Sequence, residues 1–175
     1  MIFVVVGVEK YPFDRLIKHI DMLASDGLVE EEVFIQRGSS SYKPACCLYK
    51  DFLNFEEVNE KIRRSRITVT HGGVGSVLSV IFNGKVPIVV PRRKKYREDV
   101  DDHQVPFVRT LEKRGGIIAV YEVGELKAKI DGYDSIVGEL YSGNHRVLSY
   151  EKRMNYLAKA LDDVCYNLLK GNTRL

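Results

Sequence analysis

The sequence predicts an α/β domain: a Rossmann-like parallel sheet with helices on both faces. Two observations carry this. Short continuous apolar runs, Ile2 to Val6 and Pro87 to Pro91 among them, alternate with segments of helical spacing. Continuous apolar runs mark strands buried on both faces, and their alternation with helices implies parallel crossover connections. The second observation is a glycine-rich turn, Thr70-His71-Gly72-Gly73-Val74-Gly75-Ser76, between an apolar run and a helical segment. At 175 residues, 45% of them hydrophobic, the chain has the length for one domain over 1–175 with a real core.

The elements follow in order. Ile2 to Val6 ends at Gly7 and reads as a buried strand. Pro12 suits a first helical turn, and Phe13, Leu16, Ile17, Ile20, Leu23 and Ala24 keep helical spacing up to Gly27. Val33 to Gln36 is a second strand, Arg37 to Pro44 a polar loop, and Leu48 to Lys50 a short third strand. Asn54 and Glu57 form a capping pair for a helix carrying Phe55, Val58 and Ile62. Ile67 to Thr70 leads into the glycine turn, and a short helix over Val77 to Phe82 stops at Asn83-Gly84. Pro87 to Pro91 is another buried strand. After the charged loop 92–102, a helix carries Val105, Val108 and Leu111 to Gly115-Gly116, and Ile117 to Val120 is the last strand. From Tyr150 to Lys170, the residues Met154, Leu157, Ala158, Leu161, Val164, Cys165, Leu168 and Leu169 line one side of an amphipathic helix.

The gross numbers exclude several classes. A net charge of +3 and a pI near 8.7 make no case for a nucleic-acid partner, and none is expected. Cys46 and Cys47 are adjacent and Cys165 stands alone, which fits neither a metal site nor a disulfide framework and suits a reducing cytosol. Met1-Ile2-Phe3 passes straight into a strand, so no signal peptide is expected. No apolar stretch reaches the roughly 18 residues of a membrane span.

Three stretches carry chemistry. Glycines at a strand-to-helix turn let the backbone approach a ligand closely, and the helix start offers free N–H groups and partial positive charge. Together these bind phosphate; the plainer alternative is an ordinary glycine-rich turn. The turn is not a P-loop, since no Gly-Lys-Ser/Thr follows, and it lacks the third glycine of the dinucleotide fingerprint. It is not a nucleophile elbow either, because the Gly-x-Ser-x-Gly order is missing.

The second stretch, Pro91 to Gln104, leaves a strand C-terminus on the same rim. Asp102 can cap the helix that His103 and Gln104 begin, and those two side chains can hydrogen-bond a polyhydroxylated ligand. Its basic run reads either as a solvated loop or as a binding face. Asp99-Val100-Asp101 spells an Asp-x-Asp, a pattern that can hold a divalent metal and that charged loops also spell by chance. In the third stretch, Arg37 to Pro44, Ser39, Ser40 and Ser41 follow a strand end and are either nucleotide contacts or members of an ordinary loop. His19 and His145 carry no signal of a role.

These residues together resemble the C-terminal domain of glycosyltransferase family 28. The likeness is strongest to its stand-alone bacterial members of capsular and exopolysaccharide synthesis, the PssE-like subunits. Those are similar to the smaller subunit of the eukaryotic two-subunit UDP-GlcNAc transferase. The motifs that carry it are Phe3 to Gly7, Phe13-Asp14-Arg15-Leu16, Gly38 to Pro44, Thr70 to Ser76, Pro87 to Lys95 and Asp101 to Gln104. The resemblance implies the nucleotide-sugar-binding half of a GT-B fold. By it, His71, Gly72, Gly73, Gly75 and Ser76 hold the UDP diphosphate, and His103 and Gln104 face the donor sugar. Gly7, Ser39, Ser40 and Ser41 are the further nucleotide contacts to expect.

The resemblance also implies an enzyme, a hexosyltransferase taking a UDP-sugar as donor with no cofactor and no metal. The acceptor would be a lipid-linked saccharide. A separate PssD-like, membrane-anchored subunit would supply the catalytic base and hold the complex at the cytoplasmic face of the membrane. The alternative from another class is a non-catalytic nucleotide-sugar-binding or enhancer subunit. Two departures stand out: Val5 and Val8 replace the family's usual threonines, and Gly75 to Asn83 holds no acid for the ribose. By the same resemblance, the 150–170 helix, or the surface beside it, is expected to dock the partner, with self-association as a homodimer when the protein is isolated; the plainer alternative is a helix wholly buried on its own domain.

Overall fold

The computed structural model describes residues 1–142 and Lys159. The helix expected over about 150–170 lies, but for that one residue, outside them. The described chain runs β1 (Ile2–Val5), α1 (Asp14–Ser25), β2 (Val33–Gln36), β3 (Leu48–Lys50), α2 (Phe55–Arg64) and β4 (Ile67–His71). It continues through α3 (Val74–Phe82), β5 (Ile88–Val90), α4 (Gln104–Lys113), β6 (Ile118–Ala119), α5 (Leu126–Asp131) and α6 (Tyr133–Ser142).

The six strands form one parallel sheet in the order β3-β2-β1-β4-β5-β6. In its register Val5 lies beside Gln36 on one side and Thr70 on the other. The apolar runs are continuous because both faces are covered. Ile2, Val4, Val33, Ile35, Ile67, Val69, Ile88 and Val90 face α1, α5 and α6. Phe3 and Val5 pack with Ile62 of α2 and Val80 of α3, while Val89 and Ala119 meet α3 and α4. Winding starts at β1, goes out to β2 and β3, and returns to β4 on the other side. The strand order therefore reverses between β1 and β4, which opens a crevice over their C-terminal ends.

Local chemistry explains the element starts. The capping box at α2 forms as the sequence predicts: Asn54 Oδ1 accepts from Glu57 N, and Glu57 Oε2 accepts from Asn54 N. Helix α1 begins later than Pro12 suggests, at Asp14. Phe13 is its N-cap residue, and the Phe13 N–H is taken at 2.8 Å by Ser40 Oγ from the loop after β2. Helix α3 begins earlier than the apolar run 77–82 indicates. Gly73 is its N-cap, so Gly75 and Ser76 lie inside the first turn.

Helices α5 and α6 go beyond the sequence reading. Leu126, Ile130 and Tyr133 are buried at helical spacing against the α1 face, with Gly132 between the two helices. The Tyr133 hydroxyl donates to Val86 O at 2.7 Å. Asp21, buried among apolar residues of α1, accepts from Tyr42 Oη and from the N–H groups of Ala45, Cys46 and Cys47 at 2.7–3.0 Å. Burial opposes its charge, but those four donors outweigh it and hold the carboxyl below its usual range. The loop after β2 is therefore fastened rather than loose.

Candidate functional site

The site is built from the loops at the strand C-terminal ends nearest the switch point. His71 closes β4 and is buried. A Cβ added at Gly7, which follows β1, would stand 2.7 Å from His71 Cε1; one added at Gly73 would overlap His71 Nε2. The imidazole therefore sits between the β1 exit and the glycine turn, and only glycine fits on either side of it. Gly7 also takes a φ of 82°, the left-handed region that favours glycine. Among the described residues His71 Nδ1 has no hydrogen-bond partner. Burial, and secondly the nearby charge of Arg92, push its pKa down to about 4, so the ring is neutral at pH 7.

The glycines of the turn divide by task. A Cβ on Gly72 would lie 2.9 Å from Gln104 Cβ, so Gly72 and Gly73 make room for protein side chains. A Cβ on Gly75 would meet nothing within 4 Å. Gly75 and Ser76 thus offer the first turn of α3 to open space. The N–H groups at that end have no helical acceptor, and no acidic residue lies in the turn. This is the part of the rim free to take an anion.

His103 and Gln104 come to the same rim, in different settings. Gln104 is buried; its Oε1 accepts from Arg92 N at 3.1 Å and its Nε2 donates to Asp99 Oδ2 at 3.1 Å. His103 is exposed and its Nδ1 meets Asp101 Oδ1. Asp102 does not cap α4. Its Oδ1 turns back to accept from Lys94 N at 2.9 Å, closing the short helical turn Lys94–Tyr96, while Asp101 accepts the His103 N–H at 2.9 Å. Asp99, Asp101 and His103 bring ligand-type atoms within 4.8 Å of one another, an arrangement that can hold a cation. Of the serines, Ser40 is buried with its hydroxyl on Phe13 N–H, whereas Ser39 and Ser41 are exposed and Ser41 donates its N–H to Asp14 Oδ1 at 2.9 Å.

The basic run splits in a way its composition hides. Arg92 is only 1% exposed, so it is neither a solvated nor a binding-face residue. Its position, directly after Pro91 at the end of a buried strand, is the signal that sets it apart. Glu98 is also buried and holds both Arg15 Nε (2.9 Å) and Arg15 Nη2 (3.0 Å), together with Arg93 N–H at 3.0 Å. Two further clefts, of about 550 and 330 Å3, lie between the 27–31 segment that follows α1, Arg66 and helices α5 and α6, and between α2 and α3. Neither contains the turn at the switch point, and volume alone supplies no charge for an anion.

A doubly wound α/β domain with a glycine turn and open helix start at its switch point is a nucleotide-binding type of fold. The glycosyltransferase family 28 C-terminal domain matches residues 1–135, and the chain belongs to that family. The structure is similar to that of the glycosyltransferase SnogD from Streptomyces nogalater, with 18% identity, a TM-score of 0.53, and coverage of 93% of this chain and 43% of that one. It is similar also to the glycotransferase of kitacinnamycin, at 16% identity and TM-score 0.57, covering 89% of this chain and 41% of that one. The chain thus spans less than half the length of these enzymes, whose likeness shows the fold: the Rossmann-like half of a GT-B architecture. A comparison with curated proteins found no match. Among the described residues no helix is long and apolar enough to cross a membrane.

Proposed function

We propose that this domain binds the donor of a UDP-sugar glycosyltransferase and helps to transfer a hexose to a lipid-linked saccharide in capsular or exopolysaccharide synthesis. The observation that carries this reading is the open first turn of α3 at the switch point of a family 28 domain, with Gly75 facing free space. Leaving-group departure builds negative charge on the diphosphate, and preorganised N–H donors stabilise that charge as it forms. A neutral His71 donates or accepts a hydrogen bond there without a net charge of its own. Gly72, Gly73 and Ser76 complete the cradle. His103, Gly7, Ser39 and Ser41 flank the sugar and nucleoside, while Gln104 and Ser40, buried with their polar atoms bonded within the protein, would have to exchange those bonds to meet the ligand.

Transfer also needs the acceptor hydroxyl to lose its proton. In this reading the base and the acceptor site lie on a PssD-like, membrane-anchored partner, which corresponds to the half of the GT-B enzymes that this chain does not cover. The complex then works at the cytoplasmic face of the membrane, and the donor site asks for no metal. The test is calorimetric titration with UDP, several UDP-sugars and inorganic phosphate, followed by an assay of UDP release with the partner present. Preference for UDP-sugar over phosphate is expected. Equal binding of both would reduce the domain to a generic phosphate module. UDP-sugar binding without any contribution to transfer would make it a binding or enhancer subunit.

A further inference from the structure

Among the described residues Arg92 is the largest fully buried side chain, and none of its hydrogen bonds there goes to a carboxylate. Its Nη2 donates to Val6 O at 2.7 Å, and its Nη1 to Tyr11 O at 2.8 Å and Glu98 O at 2.9 Å. Its guanidinium lies over the Phe13 ring, 4.8 Å from the centroid. Its main-chain N–H goes to Gln104 Oε1. One residue thereby ties the loop after β1, the loop after β5 and the start of α4. Among the described residues its Nε is buried without a partner. Burying a cation that has no bonded carboxylate is costly compared with an apolar residue of that size, even with carbonyls and an aromatic ring around it. Packing does not account for it.

Its location does. Val6 O is one residue before Gly7, and Gly7 abuts the His71 ring that Gly73 closes from the other side. We propose that Arg92 is the positioning residue of this rim: by fixing the β1 exit against the loop after β5, it sets where His71 stands at the mouth of the anion site. It acts through His71 and touches no ligand itself. Glu9, Glu98 and Asp99 lie near enough to moderate its charge, and the Arg92 charge in turn disfavours protonation of His71. A fixed positive charge beneath a dry rim also raises the local potential for an anion. The inference rests on the diphosphate reading above, and its test separates the two.

Arg92→Lys keeps the charge but has one nitrogen where the guanidinium divides its three carbonyls between Nη1 and Nη2, and Arg92→Met keeps the stem on Phe13 without the charge. Two readouts are taken: UDP affinity by calorimetry, and the His71 ring signals by NMR without ligand. Arg92→Lys is expected to stay folded, to displace the His71 ring signals and to weaken UDP at least tenfold. Arg92→Met should weaken UDP further and move the His71 titration upward. Unchanged UDP affinity or unmoved His71 ring signals in folded Arg92→Lys would overturn the inference. If the unmodified protein does not bind UDP, the diphosphate reading falls and the ring signals alone decide. If neither variant folds, the Arg92 Nε–H resonance of the unmodified protein must shift together with the His71 ring on addition of UDP. An Nε–H signal that stays in place refutes the role.

Discussion

Replacing Gly75 with alanine separates stability from binding, because the structure assigns the two effects opposite signs. The residue is the second of α3, and an added Cβ meets nothing within 4 Å. Alanine is favoured over glycine in a helix by about 0.5–1 kcal/mol, so the folded protein should gain up to that amount. In a domain of this size the gain corresponds to roughly 1–4 °C in Tm. Binding should move the other way. Helical Cα–Cβ bonds tilt toward the N-terminus, so the methyl group points toward the space proposed for the diphosphate. Displacing one charge-assisted hydrogen bond forfeits about 1.5–3 kcal/mol, or roughly 10- to 100-fold in affinity. Calorimetry with UDP and a thermal melt on the same sample read both effects. Raised Tm with unchanged UDP affinity would show that no ligand approaches α3 here. Gly73 is the poorer probe, since any side chain there strikes His71 Nε2 and disturbs the protein before a ligand arrives.

Three further outcomes are expected. His71 is held neutral in the folded state, with its pKa down from 6.5 to about 4, so its contribution to stability is complete above pH 6.5 and is lost as pH falls toward 4. The gap amounts to roughly 3 kcal/mol, and His71→Asn should flatten that part of a denaturation-versus-pH curve; an unchanged slope would assign it to other groups. Asp21→Asn should destabilise by about 1–3 kcal/mol at pH 7, because one amide oxygen cannot serve four donors. The Asp21 carboxyl lies below its usual range when folded, so the difference from the unmodified protein should shrink as acid protonates it, and a constant gap down to pH 2 would contradict the sign. Finally, EDTA should leave UDP affinity unchanged; a loss that Mn2+ restores, and that Asp99→Asn and Asp101→Asn reproduce, would put a cation among Asp99, Asp101 and His103.

The sheet was legible because its strands are short unbroken apolar runs, and the α2 start because Asn54 and Glu57 satisfy each other locally. What escaped depends on distant partners. The sequence marks Gly72 and Gly73 as places of close approach, but not that the approaching groups are Gln104 and His71. Asp102 has the right type and place for a helix cap, yet Lys94 N–H competes for it from eight residues away. Arg92 shares the composition of its basic neighbours, and only its place directly after the buried strand's Pro91 hints that it is buried. Helices α5 and α6 are a different case: Leu126, Ile130 and Tyr133 already carried helical spacing, and Gly132 obscured it.

The distribution of fastenings around the rim bears on how it would meet a ligand. The loop after β2 is tied by Asp14, Asp21 and Ser40, and the loop after β5 by Arg92, Glu98 and Gln104. Gly7 and Gly73 hold His71 between them. In the midst of these closed contacts the first turn of α3 has no side-chain cap, and a Cβ on its Gly75 would meet nothing within 4 Å. Loops already ordered have little conformational entropy left to lose, so an anion arriving at α3 is paid for mainly by its own immobilisation. Binding at this site should therefore be stabilised by preorganisation of the rim rather than by closure of a loop over the ligand. That makes the affinity depend on residues such as Arg92 that never touch it.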